Sequence, residues 1–153
     1  MLFRSAYARA EGDPKPLPYL HDEADQREGG YAIELEMHLA TPKTKSPVRL
    51  SRSNFRDSYW TVAQMLAHQS SNGCNVQPGD LLGTGTISGS TPDSYGSLME
   101  LTQAGKQPLE LPGGETRTFL ENGDEVIERA RCARDGHATI GFGEARGVIQ
   151  PAR

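Results

Sequence analysis

Between Asn75 and Ser90 the chain reads NVQPGDLLGTGTISGS. Gly79, Gly83, Gly85 and Gly89, interleaved with Thr84, Thr86 and Ser88, surround the apolar pair Leu81 and Leu82 there. Three kinds of chemistry use such a run: cradling a phosphate, turning a hairpin, or bringing backbone and a hydroxyl close to a small substrate. Phosphate is disfavoured, because no Lys-Ser/Thr follows the glycines and no G-x-G-x-x-G opens a helix. Two readings remain. One is a glycine-rich turn after a buried strand. In the other, Gly85 lets the backbone approach a ligand while Thr86 exchanges a hydrogen bond with it.

Carboxylates, histidines and thiols supply the other candidates. Glu34 and Glu36 form an E-x-E pair on one strand face, a spacing that suits a hard divalent cation. Strands alternate by default, so the same pair equally describes the solvated face of an edge strand. His21, His38, His68 and His137 share no ligand spacing of the H-E-x-x-H kind, and His68 falls on a predicted helix as a packing or surface residue. Cys74 reads as a structural thiol in preference to a nucleophile. Glu100 stands between Met99 and Leu101 in SLMELT, where the apolar residues do not alternate cleanly. On a strand buried on both faces that charge needs a partner; otherwise it faces solvent.

The elements that must position these residues are mainly β. EGDPKPLP (11–18) is expected to be extended, since proline turns the residue before it away from helix. AIELEMHL (32–39) has the period of a half-buried strand, with Ile33, Leu35, Met37 and Leu39 on one face. ATPKTKSP (40–47) reads as a loop. One helix is expected near Thr61–Ser71, where Thr61 and Gln64 have capping-box spacing and Asn72-Gly73 supplies a left-handed stop. Beyond it, GSLMELT (96–102), RTFL (117–120), DEVIERARC (124–132) and ATIGFGEARGVI (138–149) are predicted strands, separated by QAGKQ, PGGE, ENGD and RDGH. Seventeen glycines and ten prolines in 153 residues, about 18 % against roughly 12 % in average usage, also favour short strands and turns.

Bulk properties narrow the function. The length is that of one domain. The net charge is −4 with scattered basic residues, which argues against a nucleic-acid partner. No apolar run approaches the roughly 18 residues that span a bilayer, and MLFRSAYARAEGD (1–13) lacks the apolar core of a signal peptide. Two cysteines, Cys74 and Cys132, make neither a disulfide framework nor a zinc knuckle, and a reducing cytoplasm is expected.

DPKPLPYL (13–20), SNFRDSYWTVAQMLAHQSSNGCNVQPGDLLGTGTISG (53–89), YGSLMEL (95–101), FLENGDEV (119–126) and IGFGEARGVIQP (140–151) together resemble the carboxy-terminal part of the fumarylacetoacetase family. The run NGCN…PGDLL-x-x-GTISG resembles it more closely than the wider superfamily of acylpyruvases and diketone or enol-acid isomerases. The resemblance implies an α+β, mainly β fold with one helix, part of the family's β-roll, over residues 1–153. It implies a homodimeric hydrolase that splits the C–C bond of 4-fumarylacetoacetate, a small β-diketone acid, with a calcium or magnesium ion stabilising the developing enolate. By matching motif, Thr86 binds substrate, Gly85 gives it room, and Glu100 orients and polarises the catalytic histidine.

The family's histidine, its four carboxylate metal ligands and its substrate-binding lysine, arginine and tyrosines belong to a segment before the one matched here. The order of motifs puts Glu34 and Glu36 on a later strand, so no metal role passes to them and no metal ligand is expected in this chain. The chain therefore reads as a fragment or truncated frame, inactive alone. The alternatives are another diketone hydrolase or isomerase of the superfamily, and a non-catalytic β scaffold or dimer surface.

Overall fold

The computed structural model describes residues 4–5, 12–44 and 46–152; most of the amino-terminal stretch read above for a leader lies outside them. In chain order the elements are β1 (Arg4–Ser5), α1 (Glu23–Glu28), β2 (Gly30–Tyr31), β3 (Glu34–Ala40), β4 (Val48–Asn54), α2 (Val62–Ser70), α3 (Leu98–Leu101), β5 (Leu109–Leu111), β6 (Glu115–Arg117), β7 (Glu125–Cys132) and β8 (Ile140–Val148). Short 3-10 turns cover Pro18–Leu20, Phe55–Asp57 and Pro92–Ser94. The fold is mainly β, as expected, and its centre is an antiparallel sheet in the order β4-β3-β7-β8.

The register sorts the sheet into two faces. Leu35 pairs with Ser53 and Ala130, and Met37 with Ser51 and Glu128, on a largely apolar face. Glu34 pairs with Asn54 and Arg131, and Glu36 with Arg52 and Arg129, on the other. On that face Glu34 binds both Arg52 and Arg131, Glu36 lies 3.3 Å from Arg49, Arg129 meets Glu144 at 2.6 Å, and Arg146 meets Glu125 at 3.0 Å. Burial would push the Glu34 carboxyl up, but Arg131 and Arg52 outweigh it and hold it below the usual carboxylate value. β3 is thus an internal strand, and the expectation of a solvated edge strand for Glu34 and Glu36 is corrected.

Three α-helices occur among the described residues, not one. α2 forms where expected: Thr61 accepts from the Gln64 amide, and Gln64 Oε1 accepts from the Thr61 amide, both at 3.1 Å. α1 is a short, polar helix capped by Asp22, with none of its residues buried and no apolar stripe to mark it in the sequence. The segment 96–102 is no strand. Ser97 caps α3 by accepting from the Glu100 amide, and Ser97-x-x-Glu100 is itself capping-box spacing, a signal outweighed by the run of apolar residues. The predicted strand at 117–120 is displaced: Glu115–Arg117 pairs with Leu109–Leu111, and Thr118–Leu120 leave the ladder.

A buried ion pair anchors that hairpin. Asp124 is fully buried and Arg117 nearly so; Arg117 donates from Nε and Nη2 to the two carboxylate oxygens at 2.8 and 2.9 Å, and the Glu121 amide donates a third bond at 2.9 Å. Burial alone would raise the Asp124 carboxyl, yet these hydrogen bonds and the arginine charge keep it below the ordinary value. Arg117→Met strands a buried carboxylate and is expected to cost about 3–5 kcal/mol, measured by urea unfolding; an unchanged midpoint would refute the anchor. Because the folded pKa is depressed, the stabilisation is full above the unfolded value of about 3.9 and is lost as pH falls through the folded value. Asp124→Asn is therefore expected to flatten the fall in Tm below about pH 4.

Candidate functional site

The glycine segment has no strand before it. Residues 74–89 run as irregular chain, with Leu81 97 % exposed and Leu82 53 %, so the reading of a turn after a buried strand does not hold. Its amino-terminal side is α2, whose start is tied down at buried Thr61 and Gln64. Thr61 Oγ1 donates to Asp25 at 2.5 Å and Gln64 Nε2 to the Leu20 carbonyl at 3.1 Å. At its other end the Gly89 amide donates to the Ser94 carbonyl at 2.9 Å.

Between these anchors the segment separates two clefts. One, of about 650 Å³, lies over the apolar face of the sheet and is lined by Leu35, Met37, Ser53, Gly85, Thr86 and Phe142 among others. The other, of about 660 Å³, faces α2, and among its walls are Trp60, Leu66, His68, Thr86, Ser88 and Glu100. Thr86 borders both. Glu100 joins it only in the second.

Gly85 has φ +78°, a left-handed conformation that side-chain-bearing residues disfavour. A Cβ built there would meet nothing within 4 Å, so the residue is required for its backbone and leaves open space beside Thr86. Thr84 turns its hydroxyl back to the Gly85 carbonyl at 3.2 Å. Thr86 is exposed and makes no hydrogen bond among the described residues, which leaves its hydroxyl available to a ligand. The Glu100 carboxylate is exposed and accepts from Ser88 Oγ at 2.8 and 2.9 Å and from Ser97 Oγ at 2.7 Å. Sequence reasoning singled out Glu100, noted Ser88 only as a hydroxyl of the glycine run, and missed the bond of either serine to the carboxylate. Ser97 was detectable from its capping spacing, whereas nothing in sequence joins Ser88 to a carboxylate twelve positions away.

The histidines do not gather. His68 shares the second cleft, but its Nδ1 pairs with the Tyr19 hydroxyl at 3.0 Å, and the two rings stack. His38 is buried on β3, with Nε2 3.8 Å from Glu36. Cys74 is exposed and Cys132 buried, both as free thiols, and burial pushes the Cys132 thiol up.

Residues 15–150 match the family model described as fumarylacetoacetate (FAA) hydrolase, C-terminal. The chain belongs to that family. It is 50 % identical over 140 residues to the fumarylacetoacetase of Arabidopsis thaliana, covering 92 % of this chain and 32 % of that one. The Bos taurus fumarylacetoacetase is 47 % identical over 148 residues, 96 % of this chain and 34 % of its own. The Homo sapiens fumarylacetoacetase is 46 % identical over 141 residues, 92 % and 32 %. The chain thus spans about a third of the length of the curated relatives it matches.

The divalent metal that the family resemblance implies does not fit the donors described. Among the described residues no three His, Cys, Asp or Glu side chains are grouped to hold an ion. The E-x-E pair is committed to arginines, and a calcium ion needs about six to eight oxygens in one place.

Two outcomes follow. Gly85→Ala is expected to destabilise the chain by about 1–2 kcal/mol from left-handed strain alone, while Gly83→Ala, at a position with open space and no positive φ, leaves denaturant midpoints unchanged; equal effects would refute the assignment. Melting curves with and without millimolar calcium or magnesium should superimpose for the chain and for Glu36→Gln. A tightly bound ion at about 100 times its Kd would add roughly 2.7 kcal/mol, and a chelator-reversible rise in Tm would reveal a metal site.

Proposed function

We propose that residues 1–153 form the carboxy-terminal portion of a fumarylacetoacetase catalytic domain, and that the protein is a hydrolase splitting the C–C bond of 4-fumarylacetoacetate into fumarate and acetoacetate. The carrying observation is that an unengaged Thr86 hydroxyl and the Glu100 carboxylate line one cleft, in a chain about half identical to fumarylacetoacetases. One further feature supports the domain assignment. β8 is exposed along its whole length, Phe142 and Ile140 included, as expected of a strand that packs against further protein.

The reaction adds water to one carbonyl of a β-diketone and breaks the adjoining C–C bond, and the departing carbon leaves as an enolate that takes up a proton. Negative charge grows on oxygen at both stages, where a fixed donor is most useful. Thr86 donates to such an oxygen, and the open space at Gly85 admits it. Glu100, held by two serines, orients and polarises the base that activates water. A calcium or magnesium ion belongs to the same reading as a Lewis acid, although the carboxylates described here do not fit it. The partner set is a small β-diketone acid and a second copy of the subunit, with neither nucleic acid nor membrane. The compartment is the cytoplasm; no helix among the described residues is long and apolar enough to cross a membrane.

In the active enzyme carrying this segment, Thr86→Val loses one hydrogen bond to a charged oxygen, about 1.5–3 kcal/mol, hence roughly 10- to 150-fold in kcat/KM. Glu100→Gln lowers kcat by about 10²- to 10⁴-fold with the fold retained. Steady-state assays showing wild-type values for both would overturn the reading.

A further inference from the structure

We infer that Ser88 is a positioning residue that locks Glu100 to the glycine-threonine segment; this rests on the reading of Thr86 and Glu100 as parts of one hydrolytic site. Ser88 stands two residues beyond Thr86. Its hydroxyl donates its one proton, shared between Oε1 at 2.8 Å and Oε2 at 2.9 Å of Glu100. The same oxygen accepts from the Gly96 amide at 3.0 Å. Ser88 is thereby joined to the carboxylate on α3 and to the backbone just before that helix. A side chain at Gly96 would run into the Ile87 carbonyl oxygen and, at 2.8 Å, the Thr86 methyl, so this close approach of the two segments depends on glycine.

Ser97 completes the clamp. It donates to Oε2 at 2.7 Å and accepts from the Glu100 amide at 3.2 Å. Capping alone requires only Ser97, which lies on the same turn as Glu100. Ser88 comes from the other segment and has no part in the cap, so its bond fixes the carboxylate relative to Thr86. A carboxylate offers about four acceptor sites, and the two serine hydroxyls leave room for the donor of a base on the cleft side. Glu100 is exposed and belongs to a four-residue helix; without Ser88 its long side chain regains rotamer freedom, and the base it orients loses its aim.

The test compares Ser88→Ala, Ser88→Thr, Ser88→Cys, Glu100→Gln and Ser88→Ala/Glu100→Gln in the active enzyme, with circular dichroism and Tm on each. Ser88→Ala should lower kcat about tenfold or more, as for loss of a hydrogen bond to a charged group, with KM changed less than about twofold. Ser88→Thr, which keeps the hydroxyl, should recover most of the rate; Ser88→Cys, of similar size but a weak donor, should not. In the Glu100→Gln background Ser88→Ala should have no further effect. If Glu100→Gln itself is silent, the site assignment falls. If Glu100→Gln impairs the enzyme while Ser88→Ala and Ser88→Cys are silent, or if their losses add in full to that of Glu100→Gln, the Ser88 inference is overturned and the site assignment stands. If Ser88→Ala does not fold, Ser88→Cys carries the same comparison.

Discussion

Glu34 lies between Arg52 and Arg131, on the two strands that flank β3, and the alignment of those three strands supports everything else. A carboxylate on an internal strand is tolerated because its neighbours supply opposite charge, Arg131 directly across the ladder and Arg52 diagonally, from the position opposite Glu36. A slip of one residue would set arginines among Leu35, Met37 and Leu39 and leave Glu34 opposite serine or alanine. The ionic face and the apolar face therefore specify each other. The E-x-E pattern serves this register, which is why its resemblance to a metal pair has no counterpart in the structure.

With the sheet fixed, the apolar face becomes a floor for the glycine segment. That segment makes no ladder hydrogen bonds. It is tethered at Gly89 to Ser94 and at Ser88 to Gly96, while α2 is held at its start by Asp25 and the Leu20 carbonyl. An irregular chain pinned at both ends can present a hydroxyl without the side chain packing a strand imposes. Thr86, bordering two clefts, is placed by this arrangement.

Several elements were legible before the structure because their causes are local. β3 follows from a two-residue period, α2 from the Thr61–Gln64 capping box, and β7 and β8 from the Asn-Gly and Asp-Gly turns that precede them. The same local logic misread 96–102, where Leu98, Met99 and Leu101 outweighed a Ser-x-x-Glu cap, and missed α1, whose residues are polar but for Ala24. The resemblance carried Thr86, Gly85 and Glu100, which no periodicity could have joined.

The sequence by itself determined the family, the mainly β class and the candidate residues, since motif, period and turn chemistry are properties of neighbouring positions. Only the tertiary structure decided that β3 is internal, because strand order depends on β4 and β7, the latter about ninety positions away. Only it decided that Glu34 belongs to arginines, that Thr86 and Glu100 share a cleft, and that Ser88 reaches across to Glu100. Each of these is a contact between distant segments, whose existence depends on how the sheet and the glycine segment pack and not on the residues that flank them.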